Sequence, residues 1–350
     1  MLRVFSTFTG IGGFEIGMHH AAMNMLGEGI QHIDVVGYSE IDKFAIQVFD
    51  KHFKGVQNYG DITKIEAESL PDFDCLVGGF PCQSFSIAGK RGGFSDTRGT
   101  LFFDLARILR AKQPRLFVFE NVKGLCNHDG GRTFRTIIST IDELGYDCQW
   151  QVLNSKDFGV PQNRERIIIV GHLRGTARPQ VFPFSGTDPK AIGESAEVRA
   201  VAQTVTATYH KGGKGSHIVQ LNQPTHSNDR VYSPSGISPT LNTMQGGRRQ
   251  PKILQDIRGM KKSQNGKGFK DGDDARVSYT VDTLATRGID DGQTVRRLTP
   301  LECERLQAFP DDWTKYDVEG KEVSDTQRYK MAGNAVTTNV IQAVFERILG

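Results

Sequence analysis

Residues 3–14, Arg3-Val4-Phe5-Ser6-Thr7-Phe8-Thr9-Gly10-Ile11-Gly12-Gly13-Phe14, set a short strand-forming run directly ahead of a glycine turn. Glycines let the backbone bend tightly and approach a ligand, and the helix expected over Gly13–Leu26 offers free N–H groups at its start. The unit is strand, turn, helix, and it recurs. Strands are expected at Arg3–Thr7, Ile33–Ser39, Cys75–Gly78, Leu116–Glu120, Asp147–Leu153 and Arg166–Val170. Helices are expected at Gly13–Leu26, Lys43–Phe53, Thr100–Ala111 and Thr133–Leu144. Short apolar runs alternating with longer amphipathic segments read as a parallel α/β sheet, doubly wound with helices on both faces. Ligands of such sheets sit outside the carboxyl ends of the strands.

At 350 residues the chain exceeds the usual single-domain size, so one large core plus a smaller domain is expected. Hydrophobic residues at 37% and charged residues at 24% describe a globular protein. No apolar run approaches the ~20 residues of a membrane helix. The amino terminus carries no signal-peptide pattern, so a cytoplasmic, nucleoid-associated location without membrane partners is expected. The five cysteines are odd in number and show neither CxxC nor zinc-ligand spacing, which argues for free thiols and no metal. Each taken alone reads first as a small buried hydrophobe. The net charge of +3 says little about partners. Its distribution says more: residues 248–270, with Arg248 and Arg249 at their head, are dense in Lys and Arg with Asp256 the one acid. Such a run is a solvated loop or a track for phosphates.

Texture changes after Leu173. Residues 175–295 are rich in Gly, Thr, Ser, Gln and Pro, with short β-type runs at Gln203–Tyr209 and Ile218–Leu221. A degenerate repeat runs through them: Gln203-Thr204-Val205, Pro239-Thr240-Leu241 and Asp282-Thr283-Leu284. A loop-rich β domain fits the apolar β runs better than a disordered insertion does. Helical texture returns at Thr299-Pro300-Leu301-Glu302, a start signal, and closes with Asn339–Leu349. Three parts follow: residues 1–174, 175–295 as a smaller β domain, and 296–350 returning to the first.

Chemistry-bearing residues fall at the expected strand ends. Glu40 ends the second strand, where a carboxylate can grip ribose hydroxyls. Asp61, in Gly60-Asp61-Ile62-Thr63, could accept from an adenine amino group; either acid could equally be a turn or helix cap. Together with the glycine turn they favour an adenosine-containing ligand. Cys82, in Gly78-Gly79-Phe80-Pro81-Cys82-Gln83-Ser84-Phe85-Ser86, sits on a loop leaving a strand, where a thiolate can act as nucleophile. Glu120 follows four apolar residues, a setting in which an acid is desolvated and keeps its proton. Arg164 and Arg166 flank Glu165; at alternating positions of a strand they would point the same way, as a forked donor pair for an anion or carbonyl. The competing reading is a structural salt bridge to Glu120 or another acid.

These groups describe one reaction. Carbon 5 of cytosine is too poor a nucleophile to take a methyl group directly. A thiolate adding to carbon 6, with N3 protonated by a carboxylic acid, turns the ring into an enamine whose carbon 5 attacks a sulfonium methyl. Loss of the carbon-5 proton then releases the enzyme. Cys82 would supply the thiolate, Glu120 the proton, and Arg164 a hold on the cytosine carbonyl, with Arg166 orienting nearby acids. A base within a duplex must first be extruded into the pocket.

The ordered set FTGIGGF, SEID, GDIT, GGFPCQSFSIAGK, RGTLFFDLARIL, FENVKGL, QNRERIIIVG, RRLTPLECERLQAFPDDW and YKMAGNAVTTNV resembles the bacterial and phage DNA cytosine-5 methyltransferase family. The resemblance spans residues 3–172 and 296–345. It implies a Rossmann-like S-adenosylmethionine-dependent fold, a double-stranded DNA substrate, a monomer, and in some members a restriction endonuclease acting separately. It implies that S-adenosylmethionine lies against Phe8, Thr9, Gly10, Ile11, Gly12, Gly13 and Phe14, with Phe14 stacking on its ring. Glu40 would meet the ribose and Asp61 the adenine amino group, with Ile41, Ile62, Gly79 and Pro81 as further cofactor contacts. Asn334, Ala335 and Val336 would complete the pocket, with Ala335 standing where many relatives have Ser. Gln83, Ser84, Ser86, Arg248 and Arg249 are expected to meet DNA. Thr240-Leu241 and Thr283-Leu284 are rival candidates for the Thr-Leu element of the family's target-recognition domain. An RNA cytosine-5 methyltransferase shares this chemistry, but some 120 residues of recognition region favour DNA. A dinucleotide oxidoreductase would share the glycine turn and Glu40 and have no use for Cys82. A catalytically silent DNA-binding module would not need Cys82 or Glu120.

Overall fold

A computed structural model describes residues 1–27, 32–81, 101–184, 231–232, 237–241, 251–256, 261–262, 269–270 and 293–350. The first part builds β1 (Leu2–Thr7), α1 (Gly13–Leu26), β2 (Ile33–Ser39), α2 (Lys43–His52), β3 (Cys75–Gly79) and α3 (Leu101–Lys112). β4 (Leu116–Val122), α4 (Arg132–Glu143), β5 (Tyr146–Asn154), β6 (Gln162–Asn163) and β7 (Glu165–Leu173) follow. Six of these strands form one sheet in the order β2-β1-β3-β4-β7-β5. β1 to β4 run parallel, as expected, but β7 is antiparallel to both β4 and β5. The all-parallel expectation is therefore corrected at one strand, and that reversal matters for the site.

Strand alternation divides the core into two layers. Val4, Cys75, Val77, Leu116, Val118, Ile168 and Val170 face one side, with Phe14, Met18 and Ala21 of α1. Phe5, Leu76, Phe117, Phe119, Ile167 and Ile169 face the other, against α3 and α4. Successive side chains of a strand point to opposite faces, so runs apolar at every position read as strands buried on both sides. The sheet is doubly wound.

The last part of the chain packs on the first. α5 (Pro300–Leu306) starts at Thr299 with a full capping box to Glu302 and Pro300 in its first turn, a cap stabilising by about 1 kcal/mol. α6 (Asp325–Asn334) follows, and α7 (Thr338–Leu349) packs on α1 in the first core layer. Contact there is close: a Cβ on Gly17 would lie 2.6 Å from Ile341 Cβ. Trp313 donates from Nε1 to the carbonyl of Ile11 at 2.8 Å and stacks on His52 at 3.4 Å. Lys330 pairs with Asp42, which also caps α2.

Between these parts lie β8 (Val231–Tyr232), β9 (Ser238–Pro239), β10 (Lys252–Asp256), β11 (Lys261–Lys262), β12 (Phe269–Lys270) and β13 (Gln293–Arg297). β13, β10 and β8 form a three-stranded sheet, and β11 pairs with β12. Two expected boundaries meet continuous structure. Val181, Phe182 and Phe184 belong to the first core layer, held along β5 by Gln149 and Gln151, so that core continues past 174. β13 crosses position 296 while paired with β10. The expected runs Gln203–Tyr209 and Ile218–Leu221 lie outside the described residues.

Candidate active site

The glycine turn follows β1 directly. Phe8 and Gly10 both take positive φ, 50° and 59°, and nothing lies within 4 Å of where a Gly10 Cβ would stand. A side chain at Gly10 would strain the backbone and project into open space, as a ligand cradle requires. Gly12 and Gly13 serve packing instead: a Cβ would come within 2.6 Å of Phe53 and 2.8 Å of Val336. Glu40, at the end of neighbouring β2, accepts from Gly10 N at 2.8 Å through Oε2, and from Ile41 N and Asp42 N through Oε1. One lone pair on Oε2 is left by these bonds, enough for one ribose hydroxyl. Asp61 caps a short 3-10 turn, its Oδ1 accepting from the Thr63 hydroxyl at 2.8 Å and the Thr63 N–H at 3.0 Å. Those bonds hold its carboxyl below the usual range and leave Oδ2 near Lys64 at 3.7 Å. Both acids therefore cap local backbone and keep acceptor capacity. An adenosine group, whose ribose hydroxyls and amino group donate, fits these two acceptors.

Phe14 departs from expectation. It is 4% exposed and packed in the first core layer, so its ring is unavailable for stacking; as the second residue of α1 it points back onto the sheet. Phe8 is half-buried at the strand end beside the Ile62 cluster, and it is the aromatic at the rim. Ile11 and Ile62 have buried side chains and can offer backbone only, and Thr9 is buried against Ser6. Ile41 is 73% exposed beside Glu40. Asn334 is exposed at the end of α6, Ala335 is buried, and Val336 packs on Gly13.

At the other end of the strand-end rim, Gly79 of β3 is in register with Glu120 of β4. A Cβ on Gly79 would lie 3.1 Å from Glu120 Oε2. Because β7 is reversed, its first residues lie at the carboxyl end of β4. Arg166 opposes Val122, and its Nε reaches Glu120 Oε1 at 2.9 Å, both side chains mostly buried. The forked pair is corrected. Arg164 lies ahead of β7, 2% exposed, and its guanidinium goes to the carbonyls of Leu241, Gly333 and Ala335. Both of its Nη atoms are committed to backbone rather than open to a cytosine carbonyl, whereas the competing salt bridge to Glu120 is present at Arg166. Glu120 accordingly shares its place with a cation and does not stand among apolar groups alone.

Sequence reasoning assigns Asn121 no role. It is 2% exposed and donates from Nδ2 to the Phe80 carbonyl at 2.8 Å, fixing the backbone just ahead of Pro81. Its sequence signal is a polar residue on the strand face opposite Glu120. Thr240 donates to the Asn163 carbonyl at 2.6 Å, and Ser238–Pro239 pairs with β6, so the Thr240-Leu241 copy is seated against the catalytic part. Cys82, Gln83, Ser84, Ser86, Arg248, Arg249, Thr283 and Leu284 lie outside the described residues. The other four cysteines are free thiols, and burial pushes each upward: Cys148 to about 11, Cys75, Cys126 and Cys303 in the same direction.

Comparison with known proteins gives the family. Residues 2–350 match the family model described as C-5 cytosine-specific DNA methylase. The chain is 35% identical to the orphan methyltransferase M.SPRI of Bacillus phage SPR, over 99% of this chain and 97% of that one. It is 37% identical to the type II methyltransferase M1.ScrFI of Lactococcus lactis subsp. cremoris, over 99% and 78% respectively. Among solved structures, the S. pombe Dnmt2 methyltransferase superposes with a TM-score of 0.63 at 18% identity, covering 100% of this chain and 98% of that one. A putative DNA modification methyltransferase encoded within an E. coli prophage gives 0.61 at 18%, covering 99% and 98%. At that identity the two structures speak for the fold. On the full-length match and the curated relatives, the chain belongs to the C-5 cytosine-specific DNA methylase family.

Proposed function

We propose that the chain transfers a methyl group from S-adenosylmethionine to carbon 5 of a cytosine flipped out of a specific duplex DNA sequence. The observation that carries this reading is the Glu120–Arg166 pair standing over Gly79, three residues ahead of Cys82. That places an acid and a cation at the strand end from which the nucleophile's loop departs. Burial outweighs the nearby cations and pushes the four described thiols upward, which disfavours the thiolate at each of them and supports Cys82 as the nucleophile.

Cys82 adds to carbon 6 of the ring, and Glu120 delivers a proton to N3, making carbon 5 nucleophilic. Arg166 holds Glu120 in place and takes over from Arg164 the expected contact to the cytosine carbonyl. S-adenosylmethionine supplies the electrophilic methyl; Phe8, Gly10, Glu40, Ile41 and Asp61 would hold its adenosine part. The basic stretch from Arg248 and the Thr-Leu elements meet DNA. A cytoplasmic monomer acting at the nucleoid fits this substrate, and a restriction endonuclease would act separately. DNA is favoured over RNA because the curated relatives are phage and type II enzymes. No described helix is long and apolar enough to cross a membrane.

Bisulfite sequencing of DNA from a host expressing the chain tests the reading and defines the target sequence. Protection of cytosines in one sequence context is expected. Unmodified DNA, together with no trapped complex on duplexes in which 5-fluorocytosine replaces cytosine, would overturn it.

A further inference from the structure

Arg164 is an unusual residue to bury. The residue is 2% exposed, its hydrogen-bond partners among the described residues are three carbonyl oxygens, its Nε has none among them, and Arg166 and Glu120 act on its charge with opposite sign. Carbonyl dipoles compensate a buried cation poorly, and a well-packed apolar side chain would fill the same space at lower cost. What an apolar side chain cannot do is hold several carbonyls in one fixed fork.

The carbonyls come from two distant parts of the chain. Nη1 donates to Leu241 at 3.0 Å, in the segment that carries Thr240. Nη2 donates to Ala335 at 2.8 Å and Gly333 at 3.3 Å, either side of Asn334. Val336, the next residue, packs on Gly13 of the cofactor turn. Arg164 is itself pinned: its N–H donates to Asn154 Oδ1 at 3.0 Å, and its carbonyl accepts from Ser155 N at 3.0 Å. A buried hydroxyl–amide chain backs the same joint. Ser155 Oγ meets Thr337 Oγ1 at 2.8 Å, Thr337 donates to Gln307 at 2.6 Å, and Gln307 donates to Gln162 at 3.3 Å. All four side chains are buried.

We propose that Arg164 is a positioning residue that locks the Thr240-Leu241 element to the Gly333–Val336 wall, so that target DNA and S-adenosylmethionine tighten each other's binding through it. The inference rests on the methyltransferase reading and adds to it. Each ligand must find its side of the joint ordered, and whichever binds first orders the fork for the second. Linkage makes the effect reciprocal.

The test uses the full chain, sinefungin as a cofactor analogue that transfers no methyl group, and duplexes with and without the bisulfite-defined target. Sinefungin Kd is measured by calorimetry alone and with each duplex. In the wild type the target duplex should lower it by roughly 5–150-fold, the usual range of coupling between sites. Arg164→Lys keeps the charge and most of the stem but lacks the fork. It should fold, bring that ratio below about 3-fold, and raise KM for both DNA and S-adenosylmethionine more than it lowers kcat. Arg164→Met should behave alike. A purely structural role would instead lower the active fraction, and so kcat, and keep the ratio. A wild type without coupling, or an Arg164→Lys protein with wild-type coupling, overturns the proposal; absence of any cytosine methylation overturns the underlying reading instead.

Discussion

Arg166 Nε stands 2.9 Å from Glu120 Oε1 because β7 runs against β4. On a parallel strand, residue 166 would begin at the opposite end of the sheet from the end of β4. Reversal brings the first residue pairs of β7 to the last of β4, and the two side chains meet diagonally on one face. Side chains two residues apart across a ladder are within reach when one is long. The pair extends the row of Val118, Ile168 and Val170 beyond the core, where a flat base could be received.

If the two act as a unit, the effects of removing them should not add. Glu120→Gln should slow adduct formation on 5-fluorocytosine duplexes by roughly 10²–10⁴-fold, with sinefungin affinity nearly unchanged. Arg166→Met should cost activity too, and the double variant should be much less impaired than the product of the singles. Strictly multiplicative effects in single-turnover kinetics would mean that the two act independently and not as a unit.

Removing the sulfur is the sharper test of Cys82. Cys82→Ala and Cys82→Ser should show no methyl transfer to DNA, since an alcohol at neutral pH is almost wholly protonated and adds poorly to a pyrimidine. Cofactor binding should survive. Transfer by Cys82→Ala at near the wild-type rate would remove the covalent mechanism.

Gly79 offers a steric probe of the acid. Adding one methyl there sets carbon 3.1 Å from Glu120 Oε2, tighter than ordinary van der Waals contact, so the carboxyl must shift. A misplacement well under 1 Å can cost on the order of 10-fold or more in a positioned step. Gly79→Ala should therefore lower kcat while leaving sinefungin Kd within about 3-fold. Loss of cofactor binding with kcat intact would place Gly79 in the cofactor pocket, as the sequence alone suggests.

Most of the sheet is legible in the sequence because strands buried on both faces are apolar at nearly every position, and glycine, acid and proline mark where they end. Strand direction is not: nothing local in Arg166–Val170 distinguishes a parallel strand from an antiparallel one, since only the connection decides it. The same limit explains Phe8 and Phe14, which flank one turn and differ by which side of the first helical residue they fall on. Arg164 reads in sequence as a catalytic donor because its partners, Leu241, Gly333 and Ala335, are 77 to 171 residues away and are backbone groups that carry no sequence signature.

Glu15 predicts a pH dependence of stability. It is fully buried in the first turn of α1, and neither carboxyl oxygen has an aligned donor among the described residues. A helix start favours an anion, yet burial outweighs this and pushes the carboxyl up to about 7, with Ser6 offsetting part of the shift. The folded state therefore holds a proton that the unfolded chain releases near its ordinary value of 4.5. Stability from this group is full below about 4.5 and is lost as pH rises through about 7, by at most roughly 3 kcal/mol. Glu15→Gln should flatten that fall and be the more stable protein at pH 8. Urea unfolding at pH 5 and pH 8 decides it: parallel profiles for the two proteins would mean the carboxyl is solvated.

Target choice should be transferable with the middle of the chain, and the structure says where to cut. Val181 and Phe184 belong to the first core layer, so a graft starting at 175 would tear that core, whereas one starting at 185 would not. At the other end β13 must travel with its partner β10, so the graft runs through Arg297 and stops before Leu298. A replacement spanning 185–297 from a relative of different specificity should change the methylated sequence and keep the product 5-methylcytosine. Arg164 needs only a backbone carbonyl at the position of Leu241, which any donor sequence supplies. Within the segment two kinds of change should separate. Neutralising Arg248 and Arg249 should weaken binding to all sequences and flatten the salt dependence by about one unit of slope for each phosphate no longer neutralised. Thr240→Ala removes the bond to the Asn163 carbonyl and should impair cytosine extrusion, read by 2-aminopurine fluorescence at the target position, with little change in that slope. A folded, active chimera that kept the parental sequence preference would move specificity into the catalytic part.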